Sequence, residues 1–341
     1  MKKNINIKEV AKKCNVSIAA VSYTLNNVNK VSAKKKELIL KTIEEMGYKP
    51  NLNAVALIKN ESKLIGILLP LVEKDDRVEN LLRSNPFYME FISGAESAAQ
   101  QLGYDLILSG TTSNDDFEGW LKSRSVDGII AFDSISKENI QLLKDRSYPT
   151  CLIDSVDLDG FVSVRIDDKE GEYLATKYLI SLGHKNIAFA CSSIKKSSVN
   201  KARYKGFKRA MEEANLPFDE KYIFEGNVDY ESGVKIAENI IKHYPEVTGV
   251  IATSDILALG IMKGCNNLNK KIPEDLSIIG FDDIQISSFV SPRLTTIKQD
   301  IYKKGIVAVE NLVKNIKKGQ IDNCILMPEL TIRESAAKIG E

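Results

Sequence analysis

Short apolar runs alternate with segments of helical spacing from Leu64 nearly to the end of this chain. We expect strands at 64–70, 104–110, 126–132, 149–154, 186–191, 249–254 and 276–281. We expect helices between them at 86–102, 114–124, 137–146, 169–182, 201–214, 230–243 and 255–267. Nearly continuous apolar strands joined by helices form parallel sheets that are covered on both faces. Two such series follow one another, which predicts an α/β body of two lobes, each a doubly wound parallel sheet.

The first 49 residues show three short helical runs, at 7–14, 17–26 and 33–46. Asn15 tolerates a positive φ and suits the two-residue turn between the first two runs. Ser17 and Ser32 are placed to accept hydrogen bonds from helix N–H groups, and Gly47 ends the third run. Helix, tight turn, helix and supporting helix form an all-α helix-turn-helix head, whose second helix enters the major groove of DNA. We expect its core to contain Val10, Val16, Val21, Leu25, Leu38 and Ile43.

The charge is divided unevenly between these two regions. Residues 1–63 carry a formal charge of +8 and the remaining residues −7, although the whole chain is close to neutral at +1. A basic region neutralises DNA phosphates, and an acidic body stays off the DNA. The alternative is a lysine-rich helical surface that is only solvated.

Several classes of protein are disfavoured by what the sequence lacks. No apolar run reaches the 18 or so residues of a membrane span, and the N-terminus is polar, unlike a signal peptide. The five scattered cysteines show no C-x-x-C pair and are expected to be free thiols in a reducing cytoplasm. The chain has no P-loop, no G-x-S-x-G elbow and no metal-ligand spacing around its two histidines. We therefore expect no enzyme, no cofactor, no metal and no membrane partner.

Two long motifs stand in the head, INIKEVAKKCNVSIAAVSYTLNN and VSAKKKELILKTIEEMGYKPN. Further motifs follow through the body: NPFY at 85–88, VDGII at 126–130, LGHKNIAF at 182–189, SDILALG at 254–260, SIIGFDD at 277–283 and SPRLTTIKQD at 291–300. In these motifs the chain resembles the LacI/GalR family of bacterial transcriptional regulators. So many motifs in order make the resemblance far more specific than a lone helix-turn-helix.

The resemblance implies a division of the chain. It implies a DNA-binding head at 1–49, a hinge helix or linker at 50–63, and a periplasmic-binding-protein-like, bilobal effector-binding and dimerisation domain at 64–341. The N-lobe is then expected at 64–161 and 296–323, and the C-lobe at 162–294 and 324–335. Segments at 161–167, 295–300 and 325–333 would cross between the lobes.

The resemblance also implies which residues contact DNA. Ile18 and Ala19 would read base edges, and Leu57 would enter the minor groove as a wedge, unless it packs on the body instead. Tyr23 departs from the family, because many members carry an arginine there that grips guanine, and Val55 departs from a polar or basic hinge residue. We therefore expect an operator that is altered opposite residue 23. The expected DNA contacts are Ile7, Ser17, Ile18, Ala19, Ser22, Tyr23, Asn26, Ser32, Asn51 and Leu57.

Ligands of doubly wound sheets bind outside the carboxyl ends of the strands, here between the lobes. Carboxylates, a guanidinium and aromatic rings suit a hydroxyl-rich ligand, since the charged groups bind hydroxyls and the rings cover C–H faces. Asp255 and Asp283 are equally well explained as helix caps, and Trp120 is better explained as a core residue than as a sugar platform. By strand end and by family position, the expected ligand-binding residues are Phe87, Tyr88, Asp154, Arg203, Ser254 and Asp282. Ser254 replaces an asparagine that is frequent in the family.

The resulting hypothesis is a homodimeric repressor that a small carbohydrate inducer releases from a palindromic operator. The alternative is a regulator that depends on a corepressor, either a purine or a phosphorylated partner protein. The segment 71–84 is about ten residues longer than in typical members and borders the expected cleft. We interpret it as a tolerated surface insertion rather than a lid.

Overall fold

The computed structural model of the chain describes residues 5–25, 28–48, 61–71, 77–111, 117–132, 135–155, 158–195, 197–217 and 219–340. The chain divides into two compact units, Met1–Lys63 and Leu64–Glu341. The expectations for Asn26, Asn51, Val55 and Leu57 lie outside the described residues. No helix in the described part of the chain has the length and apolar character needed to cross a membrane.

The head consists of helices α1 (Ile7–Lys13), α2 (Ile18–Leu25) and α3 (Ala33–Met46). Asn15 has φ 51° in the turn before α2, and Gly47 has φ 63° after α3, so both left-handed positions are where the sequence places them. The Ser17 hydroxyl accepts the Ala20 N–H at 3.1 Å and caps α2. Ser32 precedes α3, but its side chain caps no N–H, which corrects that expectation. Its extended backbone starts the helix without the side-chain bond.

Of the six residues expected in the core of the head, five belong to it and Leu38 does not. Leu38 is 49% exposed, whereas its neighbour Ile39 is completely buried. Position 39 shares a face of α3 with Thr42, Ile43 and Met46, at the spacing of three to four residues that a helix requires. Leu38 lies about 100° away from that stripe and faces water.

The strands of the N-lobe sheet are β1 (Leu64–Pro70), β2 (Asp105–Thr111), β3 (Gly128–Phe132), β4 (Thr150–Ile153), β5 (Val162–Ile166) and β11 (Cys324–Leu326). Their order in the sheet is β11-β5-β4-β3-β1-β2, with every neighbouring pair parallel. The strands of the C-lobe sheet are β6 (Ile187–Cys191), β7 (Ile223–Glu225), β8 (Gly249–Ala252), β9 (Ser277–Asp282), β10 (Thr295–Lys298) and β12 (Glu329–Thr331). Their order in the sheet is β12-β10-β9-β8-β6-β7.

Two expectations about the sheets need correction. The edge strand β12 pairs antiparallel with β10, so the C-lobe sheet is mixed rather than wholly parallel. The crossing strands also belong to the lobe that they leave: β5 and β11 complete the N-lobe sheet, and β10 pairs with β9 in the C-lobe. The expected lobe boundaries at 162, 296 and 324 are therefore each displaced by about one strand. Each of these strands pairs with the sheet of its own lobe, which satisfies its backbone hydrogen-bonding groups, before the chain crosses to the other lobe.

Helices cover both sheets. They are α4 (Val78–Ser84), α5 (Pro86–Leu102), α6 (Phe117–Arg124), α7 (Lys137–Asp145), α8 (Asp168–Ser181), α9 (Ser198–Glu213), α10 (Tyr230–His243), α11 (Asp255–Asn267) and α12 (Ile301–Lys318). Helices α5 and α12 pack backbone against backbone at Gly94 and Gly305, where a Cβ atom would lie 2.0 and 2.2 Å from a carbonyl oxygen. This contact holds the start of both helices beside the carboxyl ends of the N-lobe strands.

Candidate functional site

A cavity of about 270 Å³ lies where the carboxyl ends of the two sheets face each other. All six side chains expected to bind ligand lie on its wall: Phe87, Tyr88, Asp154, Arg203, Ser254 and Asp282. The wall also contains polar residues that the sequence did not identify, among them Asn85, Ser192, Ser197, Asn200 and Gln299. The position agrees with the rule for open α/β sheets.

Three aromatic rings form the apolar side of the cavity. Tyr88 packs edge to face against Phe87, with ring centroids 5.3 Å apart, and against Phe132 at 5.2 Å. Asn85 accepts the Phe87 N–H at 3.1 Å and caps α5, which fixes where these rings begin. Burial, together with Asp154 and Asp282, raises the pKa of the Tyr88 hydroxyl well above its usual value. The hydroxyl therefore stays neutral and can donate a hydrogen bond.

Arg203 lies on the opposite wall in a buried ion pair. Its Nε and Nη2 atoms both lie 2.8 Å from Oδ1 of Asp168, at the start of α8, and its Nη1 donates to the Thr253 carbonyl. Its guanidinium covers the ring of Phe281 at 3.5 Å from the centroid. Burial raises the pKa of Asp168 to about 6, against the opposing effect of Arg203. Asp168 was not expected at the site, because an acidic residue in the first turn of a helix is common.

A second charged group joins the two lobes behind the cavity. Nζ of Lys304 lies 2.8 and 2.9 Å from the two carboxylate oxygens of Asp154 and also donates to Oε1 of Gln299. Nε2 of Gln299 in turn donates to Asp282. Burial raises the pKa of Asp282 to about 7, although Arg203, Gln299 and Lys304 all act to lower it. Gln299 stands in the run SPRLTTIKQD, one of the motifs that carry the resemblance to the family, but Lys304 gave no signal in the sequence.

The backbone at both carboxylates is unusual. Asp154 has φ 53° and Asp282 has φ 127°, both at the end of a strand. Residues other than glycine rarely adopt such angles, and they occur most often where a side chain must be held in one direction for binding. This observation supports the choice of these two residues independently of the cavity.

The remaining polar candidates have structural partners. The Ser254 hydroxyl accepts the Leu257 N–H at 3.3 Å and caps α11 while lining the cavity. Asp255 is fully buried and accepts hydrogen bonds from the Ile284 N–H and the Ser287 hydroxyl, so it braces the loop after β9. Asp283 pairs with Arg333.

Two further side chains lie away from the cavity. Trp120 stacks on Phe117 and covers Gly66, which agrees with the expected packing role. His184 is buried, and its ring nitrogens lie 2.9 Å from the Thr248 hydroxyl and 3.0 Å from the Ala337 carbonyl. The histidine therefore holds the C-terminal segment against the C-lobe.

In the head, the structure brings several of the expected DNA contacts onto one surface. Ile18, Ala19 and Tyr23 are exposed on α2, and Ser17 is exposed immediately before it. Nζ of Lys30 lies 5.4 Å from the centroid of the Tyr23 ring. Ser22 is half-buried on the same helix, and Ser32 is exposed before α3. Ile7 is half-buried and packs against the core of the head.

Known proteins share both parts of this arrangement. A family model for the bacterial regulatory proteins of the lacI family matches residues 6–51, and a model for a periplasmic binding protein-like domain matches residues 176–336. Catabolite control protein A of Priestia megaterium is 33% identical over 329 residues, which cover 95% of this chain and 96% of that protein. The HTH-type transcriptional repressor PurR of Vibrio vulnificus is 34% identical over 343 residues, covering 98% and 99%.

The body also matches a solved structure. A LacI family transcriptional regulator from Enterococcus faecium with bound ribose superimposes with a TM-score of 0.71 and 29% identity, covering 80% of this chain and 98% of that one. Full-length relatives above 30% identity therefore extend from the helix-turn-helix head through both lobes. This chain belongs to the LacI family of bacterial transcriptional regulators.

Proposed function

We propose that this regulator is a repressor of a palindromic operator, and that a small neutral carbohydrate in the cavity between the lobes releases it. The observation that carries the proposal is the cavity wall, which sets carboxylates and hydroxyl groups opposite three aromatic rings. Such a wall binds hydroxyl groups along its edge and the C–H face of a sugar ring on its aromatic side. The ribose bound by the Enterococcus faecium relative supports this class of ligand.

The size and charge of the cavity narrow the ligand further. A volume of about 270 Å³ holds roughly nine groups the size of a water molecule, at about 30 Å³ each, which is close to one sugar ring. Arg203, the cation on the described part of the wall, is already paired with Asp168, and Asp154 and Asp282 add negative charge. A phosphorylated sugar would therefore face carboxylates without a free counter-charge. We expect a neutral monosaccharide.

Operator binding is assigned to the exposed surface of α2, with Ser17, Ile18, Ala19 and Tyr23 as the described contacts. Ile18 and Ala19 offer only apolar contact, which suits a thymine methyl group. The Ser17 oxygen accepts the helix N–H, and its hydroxyl proton is still able to bind a phosphate. The charge of +8 on residues 1–63 supplies the part of the affinity that does not depend on sequence.

The ligand assignment is tested by calorimetry with ribose, glucose, glucose 6-phosphate and a purine base, with and without a selected operator. We expect a neutral sugar to bind and to weaken operator binding. A ligand that instead strengthens operator binding would make the protein corepressor-dependent. Asp282→Asn exchanges an acceptor for a donor on the wall and should abolish the sugar response while sparing operator binding. Asp283→Asn, on the neighbouring residue that faces Arg333, is the control.

A second copy of the chain is proposed as the partner, because a palindrome is read by two heads. The C-lobe carries an apolar groove of about 720 Å³ with Leu259, Met262, Ile286 and Val290 on its wall, and Phe289 beside it is 73% exposed. An exposed aromatic next to an apolar groove marks an interaction surface. Phe289→Asp should convert a dimer to a monomer in sedimentation, and Ile339→Asp, elsewhere on the surface, should not. A monomer in the unaltered protein would contradict the proposal.

A further inference from the structure

Lys304 connects the carboxylates on the two sides of the ligand cavity. It lies in the first turn of α12, and its side chain is completely buried. An ammonium group has three N–H donors and no acceptor. Two donors bind the oxygens of Asp154 at 2.8 and 2.9 Å, and the third binds Oε1 of Gln299. All three donors are used inside the protein, so the buried charge is paired and hydrogen-bonded.

The lysine also sets the orientation of the Gln299 amide. A side-chain amide has an acceptor oxygen and a donor nitrogen, and an ammonium group can hydrogen-bond only to the oxygen. Because Oε1 faces Lys304, Nε2 faces Asp282 and donates to it. Lys304 on α12 therefore donates to Gln299 in the segment that crosses between the lobes, and Gln299 donates to Asp282 at the end of β9.

We propose that Lys304 is a positioning residue that makes Asp154 and Asp282 hydrogen-bond acceptors together, and so selects ligands with hydroxyl or amino donors on both sides of the cavity. The proposal rests on the ligand cavity proposed above and adds the residue that determines its hydrogen-bonding character. Lys304 is not on the cavity wall and touches the ligand only through these partners. A ligand that presents an acceptor, such as a carboxylate or phosphate, meets two acceptors and is rejected.

Replacing Lys304 with methionine changes both carboxylates. Asp154 keeps little exposure and loses its counter-ion, so a nearly buried carboxylate is left unpaired. Gln299 loses the cation that sets its orientation. Asp282 loses one of the groups that lower its pKa; the other charged or titratable groups facing it are Arg203 on α9, Asp255 on α11 and Tyr88 on α5.

The first test needs no ligand. In the full-length protein labelled with ¹³C at aspartate carboxyl carbons, the Asp282 resonance is assigned from its loss in Asp282→Asn and titrated from pH 5 to 9. We expect its midpoint to move upward in Lys304→Met and to stay in place in Lys303→Met. Lys303 is the matched control, because it carries the same charge one residue away and is exposed. An unchanged midpoint in Lys304→Met would overturn the proposal.

The second test separates positioning from stability, with ribose and ribose 5-phosphate as probes. Lys304→Met should bind ribose at least about tenfold more weakly, the loss expected for one charge-assisted hydrogen bond. Thermal unfolding of the same variant measures its stability, and the ratio of its affinities for ribose and ribose 5-phosphate measures its selectivity. If Lys304→Met loses stability but keeps the affinity ratio of the unaltered protein, Lys304 is only structural and the proposal is wrong. If the unaltered protein binds no neutral sugar, the proposed function fails, and the titration alone decides the role of Lys304.

Discussion

The proposed DNA-reading surface of the head and the proposed ligand cavity of the body use charge and exposure in opposite ways. On α2 the side chains proposed to read DNA, such as Ile18 and Tyr23, are exposed and contribute little to the head's core. At the cavity, Arg203 on the wall and Lys304 behind it are both buried in ion pairs. A substitution at an exposed position changes the free energy of unfolding little. A substitution that removes one member of a buried ion pair leaves the other charge unpaired, so both members have to be replaced together.

The largest effect is expected at Arg203. Arg203→Met leaves Asp168 buried without its counter-ion, which costs about 3–5 kcal/mol of unfolding free energy. The response of operator binding to sugar should be lost as well. Denaturant unfolding at pH 7 measures the first effect and fluorescence anisotropy on operator DNA the second. Arg209→Met, at a half-buried arginine on the same helix whose side chain is 42% exposed, should change both far less. A variant that loses only the sugar response would show that binding and stability are separable in the cavity.

The core of the head offers a second contrast, between adjacent residues of α3. Ile39→Ala removes a fully buried side chain and should cost about 2–5 kcal/mol, a large share of the stability of so small a unit. Leu38→Ala removes a half-exposed side chain and should cost about 0.5 kcal/mol or less. Hydrogen exchange of the amides in α1–α3 measures both. Equal protection in the two variants would contradict the packing of α3.

The same two regions show how far the sequence alone reaches. The bounds of β1, α5, α10 and α11 agree with the apolar periodicity to the residue, and all six expected ligand-binding side chains reach the cavity wall. Both predictions succeed because capping residues and strand ends can be identified from a few neighbouring residues in the sequence. The three-residue strands β7, β11 and β12 are too short to show a period. Leu38 was mistaken for a core residue because two adjacent apolar residues leave the phase of a helix ambiguous.

Buried charges are the part of the site that sequence patterns conceal. Asp168, Glu172 and Lys304 each stand in a helix among other charged residues and look like members of a solvated face. Only the packing of α8 and α12 against the sheets shows that these three side chains point inward. Resemblance to the family does not reveal them either, because Asp168 and Lys304 pair with distant segments of this chain and Glu172 has no hydrogen-bond partner among the described residues.

Glu172 should make stability depend on pH in a direction opposite to that of a salt-bridged acid. Its carboxylate is fully buried and accepts no hydrogen bond from the described residues, and burial raises its pKa from 4.5 to about 8. Between these values the unfolded chain releases a proton that the folded protein keeps. Stability therefore falls by up to about 1.4 kcal/mol per pH unit as the pH rises from 4.5 to 8.

Glu172→Gln removes this titration. The variant should match the unaltered protein near pH 4.5 and exceed its unfolding free energy increasingly towards pH 8, measured by denaturant unfolding across that range. Glu310→Gln, an exposed carboxyl on α12, should leave the pH dependence as it is. Parallel stability curves for Glu172→Gln and the unaltered protein would mean that Glu172 is ionised and paired in the folded state.

The smallest change in stability, with the clearest change in specificity, is expected at Tyr23. Because its ring is exposed on α2, Tyr23→Arg should leave the thermal midpoint nearly unchanged. An arginine can bind guanine O6 and N7 together, so the variant should gain about 1–3 kcal/mol of preference for guanine at one position of each half-site. Operators selected from a random pool, for Tyr23→Arg, Tyr23→Phe and the unaltered protein, measure this directly. Tyr23→Phe should select the same sites as the unaltered protein, since a relaxed position needs no hydroxyl contact. A strict requirement of the unaltered protein for guanine opposite residue 23 would contradict this prediction. Tyr23 would then be constrained by DNA contact although it is exposed, and the head would not differ from the cavity in its tolerance of substitutions.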